Sequence, residues 1–348
     1  MRIAIVTDAW TPQVNGVVRT LTSVTAQLRA RGHEVMMVTP DQFRSIPCPG
    51  YPEIRLALAG SRVVGHKLAS FAPDAIHIAT EGPLGWAARR WCLAQRRPFT
   101  TAYHTQFPDY LARRTGLPAS LFWPLVRRFH RPAAAIMVAT QTIAGQLRAQ
   151  GLAHLRPWSR GVDTTQFHPD HLPPDLFLQL PRPIQLYVGR VAVEKNIAAF
   201  LDNAHAGSKV VVGDGPLLAM LRSRYPAVHF LGQQSGAALA ACYAAADVFV
   251  FPSRTDTFGL VLIEALACGT PVAAYPVPGP LDVLVPKAGA IDEVLEQAIA
   301  RALALDRADC LAHGRSFGWD ASAEQFLAAL HPLDAATVAE PDELLAAA

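Results

Sequence analysis

Short apolar runs alternate along this chain with segments whose apolar residues recur every three or four positions. The opening run over residues 2–7 is rich in β-branched residues and predicts a strand, and the helical spacing over 17–28 predicts a helix after it. The same alternation then predicts strands over 34–39, 74–78, 98–103 and 133–139 and helices over 82–95 and 141–150. Strands that are apolar on both faces and separated by helices form a parallel sheet covered on both sides, so we expect a doubly wound α/β domain.

A proline-rich segment interrupts this pattern before it starts again. Five prolines fall within residues 169–183, which we expect to hold neither a helix nor a central strand and to form an interdomain linker. Predicted strands follow over 183–188, 208–212, 228–231, 247–251 and 270–275. We therefore predict a first domain over 1–168 and a second doubly wound domain over 184–315. A helix over 316–332 is expected to pack back towards the first domain, ahead of a frayed tail over 333–348.

The composition supports a globular protein of two domains. The 348 residues are 51% hydrophobic and 17% charged, which excludes a disordered chain. No uncharged apolar run approaches the about 18 residues that span a bilayer, and no signal peptide is evident, so we expect a cytoplasmic protein. The five cysteines are scattered without a C-x-x-C pair, which indicates reduced core residues.

The net charge of +3 conceals two halves of opposite sign. Residues 1–165 carry 20 lysines and arginines against 8 acidic residues, whereas residues 166–348 carry 11 against 20. A basic half suggests an anionic membrane surface, a nucleic acid or a polyanionic substrate as partner, and charge alone does not choose among them.

The segment over 251–272 is the most informative for chemistry, because a strand, a polar loop and a helix predicted over 259–269 follow one another there. Asp256 lies just before this helix. Glu264 lies inside it among apolar neighbours, where an unpaired carboxylate is costly, so we expect it to be hydrogen-bonded. The N–H groups of the first helical turn form an anion site. A phosphate at the helix tip with a hydroxyl-bearing ring beside Glu264 fits both features, and an N-cap at Asp256 with an internally paired Glu264 is the alternative.

This segment resembles the acidic motif of retaining GT-B glycosyltransferases, and of glycosyltransferase family 4 in particular. Asp256 stands where the family more usually has Glu, and Glu264 matches the second carboxylate. Further segments of the family fall in the expected order over nearly the whole chain: Asn15-Gly16, Tyr103-His104-Thr105, Tyr187-Val188-Gly189-Arg190, Glu194-Lys195-Asn196 and Val212-Gly213-Asp214-Gly215-Pro216. The resemblance implies a GT-B fold, in which two Rossmann-like domains face each other across a cleft.

The resemblance also implies a site for a nucleoside-diphosphate sugar, held mainly by the second domain. It assigns Arg190 and Lys195 to the diphosphate, Asp256 to the sugar hydroxyls, Glu264 to the ribose and His104 to the transferred sugar. The remaining donor-binding positions that it implies are Gly16, Gly213 and the helix tip formed by Thr257, Phe258, Gly259 and Leu260.

From the residues alone, simpler alternatives stay open for several of these positions. The two glycines are also explained as ordinary turns, Lys195 by an ion pair with Glu194, and His104 by packing.

The sequence contains no Asp-x-Asp motif and no His/Cys cluster with metal-ligand spacing. We therefore expect neither a cofactor nor a metal, so that Arg190, Lys195 and the helix tip alone neutralise the leaving diphosphate. In the mechanism that the resemblance implies, this diphosphate helps to deprotonate the incoming hydroxyl on the same face of the sugar. No protein nucleophile is needed.

A basic and amphipathic segment lies over residues 111–131. Its apolar residues recur at spacings of three and four and are bordered by Trp123 and three arginines: Leu121, Phe122, Leu125, Val126 and Phe129, with Arg127, Arg128 and Arg131. This pattern is typical of an interfacial helix, which Arg89, Arg90, Arg96 and Arg97 would help to hold on anionic lipid. A core-facing helix with a solvated polar side is the alternative. We expect a peripheral enzyme at the inner face of the cell membrane with a lipid acceptor.

The donor and the acceptor allow several alternatives. The pattern is most similar to GDP-mannose-dependent α-mannosyltransferases and to synthases of sulfoquinovosyl or glucuronosyl diacylglycerol. We favour transfer of a hexosyl or uronosyl group from a UDP-sugar to a lipid, followed by GDP-mannose with a soluble or polyprenyl-linked glycan. A GT-B sugar-nucleotide epimerase would consume the donor without an acceptor. A nucleic-acid-binding module could use the basic half of the chain. The aromatic-studded basic groove that single strands require is not evident in the sequence, however, so we expect no nucleic-acid partner.

Overall fold

The computed structural model describes residues 1–13, 15–48 and 51–333, without the side chains of residues 51–53, 110, 113 and 114. Within these residues the chain divides into a first unit, residues 1–159 with 319 onward, and a second unit, residues 160–318. Each unit contains a six-stranded sheet. All the strand pairs in both sheets are parallel, which confirms the predicted pair of doubly wound α/β folds.

The first unit begins with a strand, a helix and a parallel strand. Its strands are β1 (Arg2–Val6), β2 (Glu34–Val38), β3 (Ser45–Cys48), β4 (Tyr51–Ala57), β5 (Ala75–Ile78), β6 (Thr100–Tyr103), β7 (Ala135–Val138) and β8 (Leu155–Pro157). The sheet has the order β2-β1-β5-β6-β7-β8, and β3 and β4 form a separate antiparallel pair. The hydrophobic pattern did not predict this pair, because β3 contains Pro47 and its Ile46 is exposed.

Helices cover both faces of this sheet. They are α1 (Gly16–Ala30), α2 (Ser61–Phe71), α3 (Pro83–Ala94), α4 (Phe107–Thr115), α5 (Trp123–His130) and α6 (Gln141–Ala149). One core joins Leu84 of α3 and Phe129 of α5 to the sheet, and the other joins Leu21 and Val24 of α1. The apolar residues that recur at helical spacing in α1 thus form the face that this helix buries.

The second unit repeats the architecture with different helices. Its strands are β9 (Ile184–Val188), β10 (Ser208–Val212), β11 (His229–Gly232), β12 (Val248–Phe251), β13 (Val272–Ala274) and β14 (Gly289–Ile291). Its helices are α7 (Asp175–Gln179), α8 (Ile197–Asp202), α9 (Leu218–Arg224), α10 (Gly236–Ala245), α11 (Leu260–Ala267), α12 (Pro280–Val283), α13 (Leu295–Ala302) and α14 (Arg307–Gly314). The order β11-β10-β9-β12-β13-β14 places β9 at the point where the winding direction reverses.

The segment expected to link two domains lies inside the second unit. Residues 160–168 also belong to that unit rather than to the first, because Val162 pairs with Gly318 and its N–H donates to the carbonyl of Phe317. The expectation that residues 169–183 hold no helix is wrong. Helix α7 fits between the prolines because Pro174 occupies its N-cap, where no N–H is required, and the next proline follows its end.

The last helix, α15 (Trp319–Ala329), belongs to the first unit, where it packs against α1, β7 and β8. Its Phe326 is fully buried, and Arg31 at the end of α1 forms ion pairs with Asp320 and Glu324 of α15. The predicted tail lies outside the described residues, apart from Leu333.

Asp8 connects β1 to the beginning of α3. Its carboxylate accepts the N–H groups of Leu84 (2.8 Å) and Gly85 (3.2 Å) and the hydroxyl of Thr80 (3.0 Å). Burial raises the pKa of this carboxyl to about 6, although these three hydrogen bonds favour the charged form. Above pH 7 the carboxylate is therefore ionised and caps a helix whose own N-cap, Gly82, has no side chain.

We expect Asp8→Ala to lower the free energy of unfolding by about 1 kcal/mol at pH 8, because the loss of the acceptor for two buried N–H groups outweighs the relief of the cost of burying the charged carboxylate. Thermal and urea denaturation measure the loss, and Asp309→Ala, which removes an exposed carboxylate, is the matched control. Equal unfolding of the two variants would contradict the capping role.

Candidate donor site

Three loops of the second unit meet at the carboxyl edge of its sheet. They follow β9, β10 and β12, and β9 is paired with both of the other strands. Arg190 and Lys195 lie in the first loop, Gly213 in the second and Asp256 in the third. In doubly wound sheets, ligands bind at this edge where the strand order reverses, so the topology gathers the predicted donor residues of this unit at a binding position.

Helix α11 begins directly after the loop that contains Asp256. Gly259 precedes its first residue with φ of +84°, a left-handed conformation that glycine adopts without strain. A side chain at Gly259 would also contact the ring of Phe251. Since a glycine N-cap has no side chain to accept the first N–H groups of the helix, these groups can point to an anion at the tip.

Lys195 and Asp256 form an ion pair. The Lys195 ammonium lies 2.6 Å from the Asp256 Oδ1, and about a quarter of each side chain is exposed, 28% and 23%. Burial alone would raise the pKa of Asp256, but the charge and hydrogen bond of Lys195 lower it below its usual value. Lys195 therefore pairs with a carboxylate from another loop rather than with its neighbour Glu194.

Two further hydrogen bonds join the same loops. The Asn196 side-chain amide donates to the Pro252 carbonyl at 3.0 Å, and the Thr255 hydroxyl donates to the Glu194 carbonyl at 3.2 Å. Asn196 has φ of +52°, which an asparagine tolerates better than most residues. These contacts fix the position from which Lys195 and Asp256 act.

Glu264 is only 3% exposed and lies on the inner side of α11. Its Oε2 accepts the hydroxyl of Tyr243 at 3.1 Å, as expected for a carboxylate among apolar neighbours. Tyr243 is itself fully buried, with its ring edge-on to Phe167 and Phe249. No sequence pattern pointed to Tyr243, because its contact with Glu264 joins two helices.

Arg190 follows a turn that Tyr187 holds in place. The buried Tyr187 hydroxyl donates to the Arg190 carbonyl at 2.8 Å. A Cβ on Gly213 would come within 1.9 Å of the Gly189 carbonyl oxygen, and the Gly213 N–H donates to Gly232. Close packing of two loops therefore explains Gly213 in structural terms, and its predicted contact with a nucleotide stays a prediction.

Two of the predicted residues lie in the first unit. His104 follows β6 and is 9% exposed, with its ring edge-on to Trp158 at 5.3 Å between centroids. Gly16 is the first residue of α1, and the Asn15 side chain accepts the N–H groups of Val17 and Val18 at 3.0 Å each. A phosphate at this helix tip would meet the Gly16 amide rather than the two that Asn15 already occupies.

The amphipathic segment differs from the single helix that the sequence predicted. A short 3-10 turn over Ala119–Leu121 precedes α5, and Val126 and Phe129 of α5 are buried in the core. Trp123 stacks on Tyr103. An exposed set remains, which we call the leucine–arginine surface: Leu117, Leu121, Leu125, Arg127, Arg128 and Arg131.

Arg89 does not join this surface. Its side chain is buried and donates to the carbonyls of Phe129 (3.1 Å) and Arg128 (2.6 Å) at the end of α5. A cation suits a helix C-terminus, where carbonyls have no partners within the helix. The expectation that Arg89 contacts lipid is therefore wrong, whereas Arg90, Arg96 and Arg97 are exposed.

Two features are absent from the part of the chain that the structure describes. No group of three or more His, Cys, Asp or Glu side chains in them is arranged to hold a metal ion. No helix among them is long and apolar enough to cross a membrane.

Comparison with known proteins identifies the class. Residues 14–166 match the family Glycosyltransferase Family 4, and residues 182–305 match Glycosyl transferases group 1. The sucrose-phosphate synthase of Thermosynechococcus elongatus has a similar structure, with a TM-score of 0.75 and 25% sequence identity over 94% of this chain and 97% of that one. With its two Rossmann-like sheets, the protein has the GT-B glycosyltransferase fold.

Three relatives make the assignment more specific. A GDP-mannose-dependent alpha-mannosyltransferase of Mycobacterium tuberculosis is 32% identical over 82% of this chain and 82% of the relative. The sulfoquinovosyl transferase SQD2 of Arabidopsis thaliana is 33% identical over 74% of this chain, which spans 56% of that protein. The alpha-monoglucosyldiacylglycerol synthase of Streptococcus pneumoniae is 28% identical over 79% of this chain and 71% of the relative. The chain belongs to glycosyltransferase family 4 and is a nucleotide-sugar glycosyltransferase.

We expect Lys195→Ala to lower kcat about 10²–10³-fold, because the leaving diphosphate loses a positioned cation. Glu264→Ala should raise the KM for the donor. Lys287→Ala, which removes an exposed lysine of the same unit, should leave transfer unchanged. If both site variants were folded and kept wild-type transfer rates, the assignment of these residues would be wrong.

Proposed function

We propose that the protein is a retaining glycosyltransferase that transfers a hexosyl or uronosyl group from a UDP-sugar or GDP-mannose to a lipid hydroxyl at a membrane surface. The observation that carries the lipid acceptor is the leucine–arginine surface. The donor class is supported by the arrangement of Lys195, Asp256 and the tip of α11.

The donor half of the mechanism follows from charge. A departing diphosphate carries negative charge that Arg190, Lys195 and the N–H groups at the tip of α11 stabilise, so the proposed reaction needs no metal ion. Lys195 bridges the diphosphate to Asp256, whose carboxylate oxygens would accept hydrogen bonds from the sugar hydroxyls. Glu264 binds the ribose, and His104 borders the transferred sugar.

The anomeric configuration is retained if the acceptor hydroxyl attacks the same face of the sugar that the diphosphate leaves. A diphosphate oxygen then accepts the hydroxyl proton as the new C–O bond forms and the sugar–phosphate bond breaks. Asp256 is one methylene shorter than the Glu that is more usual in the family. It therefore binds hydroxyls in this proposal and forms no covalent intermediate.

The acceptor half rests on the leucine–arginine surface. Leu117, Leu121 and Leu125 are 49%, 60% and 46% exposed beside three exposed arginines. Large apolar side chains next to cations suit the boundary between acyl chains and anionic head groups. The similarity to an alpha-monoglucosyldiacylglycerol synthase also supports a lipid acceptor for this chain.

A soluble or polyprenyl-linked glycan acceptor with GDP-mannose is the second candidate. The mannosyltransferase relative, aligned over 82% of its own length, favours that donor. The donor and the acceptor are independent choices, and separate measurements decide them.

Membrane binding is tested by sedimentation with vesicles that contain anionic lipid. We expect the wild type to pellet at low salt and less as salt rises. Replacing Arg127, Arg128 and Arg131 with Glu should weaken binding to the vesicles about 100-fold or more, because each basic residue near the surface contributes about 1 kcal/mol.

A control with the same change in net charge replaces Arg222, Arg224 and Arg315 of the second unit with Glu; all three are exposed. Equal and salt-insensitive pelleting of the wild type and both variants would exclude electrostatic membrane binding and favour a soluble acceptor.

Nucleotide binding is tested by thermal denaturation with UDP, GDP and ADP. We expect UDP or GDP to stabilise the wild type by about 2.7 kcal/mol at one hundred times its Kd. Lys195→Ala should reduce this shift and Lys287→Ala should not. Stabilisation by ADP alone would contradict both proposed donors.

A further inference from the structure

A cavity of about 320 Å³ lies in the first unit, apart from the residues that the mechanism uses. Its walls come from the loop after β1, the turn after β2 and the β3–β4 pair, and they include Trp10, Gln13, Asp41, Phe43, Ser45 and Arg55. Pockets of this size with apolar walls and a few polar groups are typical small-molecule sites.

Hydrogen bonds hold these walls in place. The Gln13 N–H donates to the Trp10 carbonyl at 3.1 Å, and the Phe43 N–H donates to the Pro40 carbonyl at 3.2 Å. The Arg55 guanidinium donates to the Ser45 carbonyl at 2.7 Å and to its hydroxyl at 3.1 Å. The cavity is therefore preformed, and a ligand would order little new structure on entering it.

The charges of the lining select a neutral ligand. Arg55 and Asp41 are its two charged side chains, one of each sign. A phosphate would be attracted to the guanidinium and repelled by the carboxylate, whereas hydroxyl groups can accept from one and donate to the other. This balance favours a polyhydroxylated neutral molecule over an anionic head group.

The aromatic residues favour a ring. Trp10 and Phe43 are partly exposed, and both line the cavity. The face of an aromatic ring carries partial negative charge, which attracts the weakly positive C–H groups on one side of a pyranose. Aromatic walls with a donor and an acceptor at the rim match a sugar more closely than an acyl chain.

The position of the cavity relates it to the reaction. It lies at the carboxyl edge of the same sheet that carries His104, beside β1 and β2. β5 separates β1 from β6, so β1 lies about 10 Å from the strand that precedes His104. An acceptor hydroxyl that reacts near His104 therefore lies at the same edge of the sheet as the cavity.

We propose that this cavity binds a neutral pyranose of the acceptor, so that the enzyme extends an acceptor that already carries a sugar rather than glycosylating bare diacylglycerol. The inference rests on the proposed glycosyl transfer. It requires that an earlier glycosyl transfer supplies the acceptor of this one.

The test compares two acceptors in mixed vesicles, diacylglycerol and monohexosyldiacylglycerol, with a soluble arm of methyl α-glucoside and methyl α-mannoside. We expect transfer to the hexosyl lipid to exceed transfer to diacylglycerol by about tenfold or more, as a filled polar cavity allows. Higher transfer to the soluble glycosides would leave the pyranose site in place and assign it to a soluble glycan. A preference for bare diacylglycerol would overturn the proposal.

Variants connect the preference to the cavity. Asp41→Asn and Phe43→Leu should raise the KM for the hexosyl lipid about tenfold or more and leave the KM for the donor unchanged. Asp309→Asn and Phe71→Leu, made outside the cavity, are the matched controls. Equal effects of both pairs would overturn the proposal.

Direct binding and donor binding give separate readouts. In saturation-transfer NMR, methyl α-glucoside or methyl α-mannoside should give a signal that Phe43→Leu removes, and glycerol 3-phosphate should give none. Stronger binding of glycerol 3-phosphate would contradict a neutral ligand. Nucleotide-induced stabilisation should persist in the cavity variants. Its absence from the wild type would be a failure of the proposed function rather than of the cavity.

Discussion

The ion pair between Lys195 and Asp256 is the contact on which the candidate donor site depends. It joins the loop after β9 to the loop after β12, at 2.6 Å. Without Asp256, the partly buried Lys195 ammonium would lose the carboxylate that neutralises its charge. Without Lys195, the Asp256 carboxylate would repel an anion that approaches the tip of α11. The hydrogen bonds of Asn196 and Thr255 support the same junction from both sides. In the proposed reaction, the diphosphate would meet a cation that is already positioned, which is how preorganised sites stabilise developing charge.

Sheet topology explains why these loops meet at all. β9 is central and its neighbours are β10 and β12, so their carboxyl ends place Arg190, Gly213 and Asp256 side by side. Close backbone approach then restricts the residue type, as at Gly213, where any Cβ would overlap the Gly189 carbonyl. The same glycine thus satisfies a packing requirement whether or not a nucleotide contacts it. Function in this fold is built on loops whose shape the sheet has already determined.

The sequence predicted the strand–helix alternation and the positions of Asp256 and Glu264, because local periodicity and the strand–loop–helix pattern carry that information. It did not predict the partners of those residues. Tyr243 and Glu264 lie on different helices, and Lys195 pairs across two loops rather than with adjacent Glu194. Such contacts depend on tertiary packing. Helix α7 was not predicted for a different reason. Proline is excluded from the interior of a helix but is tolerated at its start, where Pro174 lies.

Basic charge in the first half of the chain is not one surface. Arg89 caps α5, and Arg31 pairs with acidic residues of α15, so these cations stabilise the unit instead of meeting a partner. Three of the remaining exposed arginines, Arg127, Arg128 and Arg131, lie at the end of α5, next to exposed leucines, and the proposed function assigns these to a membrane. The cavity beside β1 and β2 has balanced charge instead. In the proposed function, the first unit would separate attraction to an anionic surface from recognition of an uncharged acceptor ring, because a cavity as basic as the surface would bind phosphate head groups in competition with that ring.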